Sequence, residues 1–225
     1  MNFISTLALA SSLALTAGSA AFGATLDDFN RPDSSTLGPG WTQQAGTSGI
    51  VGDQAFGSQQ SLATFNGGTG NMVSFDISNA TARSGYVAAV LGWGSAFDYF
   101  VKVQDNNGDS VFDTFAFGAS NNSDVTFNFL TRTFTAAHVV VSVVGTLATL
   151  DITPNVGDEQ VYTHSYGPGL SGGAIGLGFF GDSHADNFGG AAVAGVPEPA
   201  AWALMLLGFG GLGAALRSRR RLALA

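Results

Sequence analysis

The chain has no cysteine among its 225 residues, which excludes disulfides, thiolate chemistry and zinc sites built on cysteine. Basic residues are also few, with eight Lys and Arg against 16 Asp and Glu. Half of them lie together near the C terminus, at Arg217, Arg219, Arg220 and Arg221. Without these four and Glu198, four basic and 15 acidic residues give the rest of the chain a net charge of −11. We expect no nucleic-acid partner, because phosphate binding needs clustered Lys and Arg.

The C-terminal segment joins three signals in sequence. Pro197-Glu198-Pro199 comes first, the uncharged residues 200–216 follow, and the arginine-rich residues 217–221 close the segment. As a helix, the uncharged stretch would measure about 25 Å, which is the short end of what crosses a membrane. Because arginines resist translocation, the pattern predicts a transmembrane helix at 200–216 with the preceding domain outside the cytoplasm.

This segment resembles the PEP-CTERM sorting signal of Gram-negative bacteria, in its PEPxxWA variant. The matching residues are Pro197, Glu198, Pro199, Trp202 and Ala203. The resemblance implies that residues 197–221 are recognised by an exosortase, a membrane-embedded cysteine enzyme that acts near the Pro-Glu-Pro. It further implies transient anchoring in the inner membrane, followed by surface attachment or release. The alternative is a plain C-terminal anchor in which the Pro-Glu-Pro occurs by chance.

The N terminus carries a second export signal. Residues 3–17 have no charge, and small residues that suit signal peptidase follow at 18–24. No Lys or Arg precedes the apolar core, which departs from the usual pattern. We expect a signal peptide helix at 1–23, cleaved between Ala20 and Ala24.

Between the two ends, no stretch shows a capped helical pattern, and short alternating runs recur between Gly, Asn and Asp clusters. The runs are Ser61–Phe65, Met72–Ile77, Tyr86–Trp93, Phe97–Gln104, Ser110–Phe117, Val125–Phe129, His138–Val144, Thr146–Ile152, Val161–Ser165 and Ala174–Phe180. This spacing predicts an all-β sandwich over residues 24–190, followed by a linker at 191–196.

One hairpin is predicted in detail. Phe97–Gln104 alternates with Tyr99, Val101 and Val103 on one face, and Ser110–Phe117 follows after Asn107-Gly108. That dipeptide favours a two-residue type I′ turn. On the second strand, the alternation separates Phe115 and Phe117 from Phe112. A calcium loop through Asp105, Asn107 and Asp109 is the alternative, although it lacks the EF-hand spacing.

Both ends of the exported domain resemble concanavalin A-like, laminin G-like jelly-roll sandwiches of secreted bacterial proteins. The opening phrase runs from Asp27-Asp28-Phe29-Asn30-Arg31 to Trp41, and the closing phrase is Asp186-Asn187-Phe188 after a glycine-rich strand. The resemblance implies that the first and last strands lie side by side. On that arrangement, Asp28 and Asp186 could share a structural calcium; otherwise they are solvated strand ends, with Phe29 and Phe188 in the core.

We predict no enzymatic activity. Glycoside hydrolysis usually needs two carboxyl groups roughly 5 to 10 Å apart, and paired Glu residues are common in this fold. The exported domain has a single glutamate, Glu159. A carbohydrate-active enzyme therefore requires an atypical site that brings Glu159 near an Asp.

The function predicted from these features is an exported, exosortase-processed surface or matrix protein associated with extracellular polysaccharide. The aromatic residues expected to be exposed for ligand contact are Trp93, Tyr162 and Tyr166. A calcium-dependent, lectin-like carbohydrate-binding module and a carbohydrate-active enzyme are the alternatives. Ice binding is a third, although the regular threonine arrays expected for it are not evident. No cofactor is expected beyond the structural calcium.

Overall fold

A computed structural model describes residues 24–79, 85–119, 126–181 and 183–191. The predicted signal peptide at 1–23, the linker beyond residue 191 and the sorting signal at 197–221 lie outside these residues. Within them, no helix is long and apolar enough to cross a membrane.

The described residues form thirteen β-strands; the ten predicted runs all fall on strands, whereas no run was predicted at β1, β2 or β13. Their bounds are β1 Thr25–Asp27, β2 Trp41–Val51, β3 Gln54–Thr69, β4 Met72–Asn79, β5 Gly85–Trp93, β6 Tyr99–Asp105, β7 Phe112–Ala119, β8 Thr126–Phe134, β9 Ala136–Val144, β10 Leu147–Pro154, β11 Gln160–Ser165, β12 Ala174–Phe180 and β13 Ser183–Ala191.

The strands form a sandwich of two layers joined by β3. We call the layer with strands β2-β3-β12-β5-β6-β7-β8 sheet A and the layer with β1-β13-β4-β9-β10-β11 sheet B. The first part of β3 pairs with β13 through Ala55 and Phe56, and the later part pairs with β12. Between these parts, Gln59 has a φ of 57°. The bend at this residue lets one strand pass from sheet B to sheet A.

The core lies between the two layers and follows the period-2 alternation of the strands. In β9, Ala137, Val139, Val141 and Val143 are buried, while the residues between them are half-exposed. Aromatic rings close the space between the sheets at the β7–β11 end. Phe115 of β7 stacks on Tyr162 of β11 with ring centroids 4.0 Å apart. The all-β sandwich prediction is confirmed; the finer concanavalin A-like assignment stays a prediction.

The predicted hairpin is confirmed, but its turn differs. Strands β6 and β7 pair antiparallel from Tyr99–Ala119 to Gln104–Thr114. The connection is longer than two residues, because the buried Asp105 carboxylate accepts hydrogen bonds from the amides of Gly108 and Ser110, at 2.7 and 3.0 Å. The side chain of the last residue of β6 therefore sets the loop, and no type I′ turn forms at Asn107-Gly108.

The predicted faces of β7 are wrong at one position. A register shift between Phe112 and Thr114 interrupts its pairing with β8. Such an irregularity changes which residues point inward. Phe112 consequently joins Phe115 and Phe117 in the core, although simple alternation places it on the opposite face.

The two ends of the domain meet, as the resemblance implied. Strand β1 pairs with β13, and Asp27 lies opposite Phe188. The Asp27 carboxylate accepts two hydrogen bonds from Arg31, at 2.7 and 2.8 Å, and one from the indole N–H of Trp41, at 2.6 Å. Phe188 packs on Trp41 with centroids 4.8 Å apart. Asp27 thus fixes the first strand to the aromatic core.

Replacement of Asp27 by alanine should destabilise the domain by about 2–3 kcal/mol, because Arg31 and Trp41 lose their acceptor. Burial raises the pKa of Asp27, but hydrogen bonds from Arg31 and Trp41 outweigh it and the net pKa is lowered. The stabilisation is therefore present above about pH 4 and lost at lower pH. Urea unfolding at pH 7 and pH 3 measures both effects.

Asp28→Ala is the matched control for this experiment. Asp28 is exposed and caps only the amide of Asn30, at 3.2 Å. We expect a change within about 0.5 kcal/mol. Equal losses in the two variants would contradict the role assigned to Asp27.

Candidate functional site

A groove crosses the outer face of sheet A, on the side away from the core. Strand β6 shows how the sequence builds it. Tyr99, Val101 and Val103 point into the core, so Phe100 and Lys102 point outward. The groove encloses about 680 Å³ and is lined by residues of β2, β3, β5, β6, β7 and β12, together with Asp98 just before β6.

Small residues form the floor of the groove. Lys102 of β6 pairs with Ala88 on one side and Ala116 on the other, and Ala88 pairs in turn with Gly178 of β12. Gly118 also lines the groove. Because the glycines and alanines carry at most one methyl group, the outer face is depressed on β12, β5 and β7, on either side of Lys102.

Aromatic rings stand on both sides of this floor. On one side, Tyr86 stacks on Phe180 with centroids 5.8 Å apart and an interplanar angle of 18°. On the other, Trp93 meets Phe100 edge to face at 6.3 Å. Phe100 pairs with Val90, which lies four residues from Tyr86 on β5. At about 3.3 Å per residue, the two aromatic sides are roughly 13 Å apart.

The polar side chains that line the groove include Lys102, Gln60 and Asp98. The Lys102 ammonium lies 5.0 Å from the centroid of the Tyr86 ring, and burial lowers the pKa of this lysine. Gln60 of β3 forms a hydrogen bond with Tyr86, whose pKa is raised mainly by burial. Asp98 is only 7% exposed. Within the described residues, its Oδ1 has no hydrogen-bond partner, which is costly for a buried carboxyl oxygen.

The turn after β5 holds Trp93 at the edge of the groove. Gly92 has a φ of 78°, and a Cβ there would lie 2.8 Å from the carbonyl oxygen of Phe97. A Cβ on Gly173 would lie 2.4 Å from the carbonyl carbon of Gly92. Backbone contact on both sides therefore sets the direction in which the chain presents Trp93.

Of the three aromatic residues proposed from the sequence, the structure places Trp93 in the groove. Tyr166 is 2% exposed, and its hydroxyl donates to the carbonyl oxygen of Gly118 at 3.1 Å. The expectation that Tyr166 is exposed is therefore wrong. Tyr162 is half-buried on Phe115 in the other layer and is separated from the groove.

Sequence reasoning missed the other groove residues, namely Gln60, Tyr86, Asp98, Phe100 and Lys102. One signal was available. The alternation from Phe97 to Gln104 places Tyr99, Val101 and Val103 on one face, which leaves Phe100 and Lys102 on the other face. Nothing in the sequence indicated that Tyr86 and Phe180 would meet beside them, because that contact depends on the pairing of β5 with β12.

The two aspartates proposed for calcium lie near each other at the β1–β13 end. Burial raises the pKa of Asp186, and the charges of Asp76 and Asp28 raise it further. Asp76 is engaged by His138 Nδ1 at 2.6 Å and by the Asn187 side-chain amide at 2.7 Å. Over the described ranges, no three His, Asp or Glu side chains are grouped so that they could hold a metal ion. The shared calcium stays a prediction.

The single glutamate of the domain lies beside an aspartate on sheet B. Glu159 forms a hydrogen bond with Asp151. Burial, this hydrogen bond and the Glu159 charge raise the pKa of Asp151 to about 6. Glu159 therefore favours the protonated form of Asp151, whose Oδ1 is buried without a hydrogen-bond partner among the described residues.

Residues 195–221 match the family described as PEP-CTERM protein-sorting motif. The chain therefore carries a PEP-CTERM sorting motif. This confirms the predicted sorting motif and implies an exported protein that is anchored in a membrane before an exosortase processes it. No curated protein matches the chain.

Two solved structures resemble the domain. One is the carbohydrate-binding module CBM66 from Bacillus subtilis, with 15% identity and a TM-score of 0.45, covering 68% of this chain and 94% of that one. The other is the CBM2 module of the evolved Dit protein of Lactobacillus casei BL23 phage J-1, also with 15% identity and a TM-score of 0.45. It covers 74% of this chain and 86% of its own. Neither similarity is high enough to support a functional assignment.

The Asp151–Glu159 pair makes a prediction about pH. Because the folded state keeps a proton on Asp151 that the unfolded chain releases, stability should fall as the pH rises from about 4 to about 6. Glu159→Gln removes the neighbouring charge, so this fall should become smaller. The fall is measured from free energies of unfolding in urea between pH 4 and pH 7, for the wild type and for Glu159→Gln.

Asp158→Asn provides the control, because Asp158 is the neighbouring residue and its exposed carboxylate pairs only loosely with Arg132, at 3.3 Å. Its pH dependence between 4 and 6 should match that of the wild type. An unchanged slope in Glu159→Gln would contradict the effect assigned to Glu159 on the pKa of Asp151.

Proposed function

We propose that the protein is an exported, exosortase-processed surface or matrix protein whose β-sandwich binds extracellular polysaccharide without cleaving it. The observation that carries the proposal is the groove of sheet A, with aromatic rings on both sides of a floor of small residues. The sorting motif supports the extracellular setting.

The groove combines the two contacts that a sugar chain requires. Pyranose rings have apolar faces that pack on aromatic side chains, and Tyr86 and Trp93 offer such surfaces. Sugar hydroxyls can both donate and accept hydrogen bonds. A hydroxyl would satisfy the buried Oδ1 of Asp98, and Lys102 and Gln60 offer further polar contacts. An apolar peptide would leave the Asp98 oxygen unsatisfied.

Two observations support a non-catalytic role. Asp98 is the only carboxyl group among the groove-lining residues that the structure describes, whereas glycoside hydrolysis uses two. Asp151, whose pKa Glu159 raises, belongs to sheet B and does not line the groove.

Trp93→Ala and Tyr86→Ala should each weaken polysaccharide binding about tenfold or more, since a buried aromatic contact contributes more than about 1.4 kcal/mol. Screening residues 24–195 on a glycan array identifies the ligand, and calorimetry with that ligand measures the loss. Repeating the screen in EDTA tests the calcium-dependent alternative, which requires binding to disappear.

Phe129→Ala is the matched aromatic control. Its ring is 72% exposed on β8 and does not line the groove, so its loss should leave the affinity unchanged. An equal loss of affinity in Phe129→Ala would indicate that the ligand binds at the β8 edge of sheet A and not in the groove. If the array binds nothing, the polysaccharide proposal is wrong and a purely structural surface role takes its place.

The finer sorting assignment, the PEPxxWA variant, makes its own prediction. Replacing Pro197-Glu198-Pro199 by three alanines should leave the full-length precursor in the inner membrane, because the exosortase no longer recognises it. Mass spectrometry and fractionation compare the precursor with the mature form. An intact tail on mature wild-type surface protein would refute exosortase processing, and normal maturation of the variant would refute the role of these residues.

A further inference from the structure

The charges of the described residues leave one cation in an unusual position. Arg31 pairs with Asp27 at 2.7 Å, and Arg132 pairs with Asp158 at 3.3 Å. Lys102 is different, because in the described part of the chain it forms no ion pair and its ammonium contacts only the Tyr86 ring. An isolated cation stands out in a domain with a net charge of −11.

Because Lys102 is partly buried, the lack of an anionic partner for its ammonium group is energetically unfavourable. The side chain is half-buried in the groove, and burial lowers the pKa of its ammonium group. A cation–π contact recovers part of the lost hydration but supplies no anion. An anion bound in the groove would compensate the buried charge more completely, since charge-assisted hydrogen bonds are among the stronger ones.

The space for such an anion lies directly beside the lysine. Ala88 and Ala116 flank Lys102 on the neighbouring strands, so neither can cover the ammonium group. A ligand that follows the floor must pass over this position.

Asp98 is too far away to serve as the partner. It lies four residues before Lys102 in sequence and faces the same groove, which corresponds to roughly 13 Å in an extended chain. The groove therefore presents a positive group beside Tyr86 and a carboxyl group at the Trp93 end. A ligand that matches both has an acidic unit at one end and a hydroxyl-rich unit at the other.

We propose that the groove selects an acidic polysaccharide, in which a sugar carboxylate pairs with Lys102 while hydroxyls of another unit hydrogen-bond to Asp98. This inference rests on the proposed polysaccharide groove and names its ligand class. Because the domain as a whole is acidic, long-range forces repel a polyanion. The selection therefore depends on the local contact at Lys102.

The test compares polymers that differ only in the carboxyl group. Xanthan, gellan and alginate are each presented beside their carboxyl-reduced forms, and affinity is measured by gel retardation and calorimetry with the wild type, Lys102→Met and Lys102→Arg. We expect the wild type to bind at least one native polymer about tenfold more tightly than its reduced form. Lys102→Met should remove this difference, whereas Lys102→Arg should keep it.

Two controls separate the selection of an acidic ligand from the underlying proposal that the groove binds polysaccharide. Trp93→Ala should weaken binding of native and reduced polymers alike, and unchanged melting temperatures would show that the Lys102 variants are folded. Equal binding of native and reduced forms, or a preference that survives in Lys102→Met, overturns the acidic ligand and leaves the groove proposal standing. Failure of every polymer to bind, acidic or reduced, overturns both.

Discussion

The structure of sheet A depends on a close backbone contact at one strand. Strand β12 pairs with β3 on one side and β5 on the other. A Cβ at Gly176 would lie 2.2 Å from the carbonyl oxygen of Ala63, so the strand fits only if this position has no side chain. Two residues on, Gly178 faces Ala88 on the floor of the groove. The glycines of β12 that allow close approach of the neighbouring strands therefore also leave the outer face of sheet A without large side chains.

This arrangement separates the residues that stabilise the domain from those that form the candidate site. Inward-facing rings such as Tyr99 and Tyr166 fill the space between the layers, with centroids 4.3 Å apart. Outward-facing Phe100 and Lys102 come from the same strand as Tyr99 but contribute little to the core. Because alternation assigns the two sets to opposite faces, the groove residues can change chemistry at small cost in stability.

The sequence predicted the elements whose signal is local, and missed those that depend on distant contacts. Apolar alternation identified runs such as those of β5, β6 and β9, but β2 and β13 were missed because Gly, Ser, Gln and Asn dilute the pattern. The prediction of a type I′ turn after β6 was wrong, because the buried Asp105 carboxylate, not Asn107-Gly108, organises the loop. The groove itself follows from the register of four strands, which no single segment of sequence contains.

The sorting motif and the groove fit together through multivalency. Under the proposed function, a groove of about 680 Å³ would hold only a short stretch of a polysaccharide chain, so one copy would bind weakly on its own. An exported protein displayed in many copies meets a ligand with many identical units. Each binding event then raises the effective concentration for the next, and avidity can exceed the single-site affinity by roughly 10²–10⁴. Under the proposed function, a shallow groove with one cation is therefore sufficient for retention in a matrix.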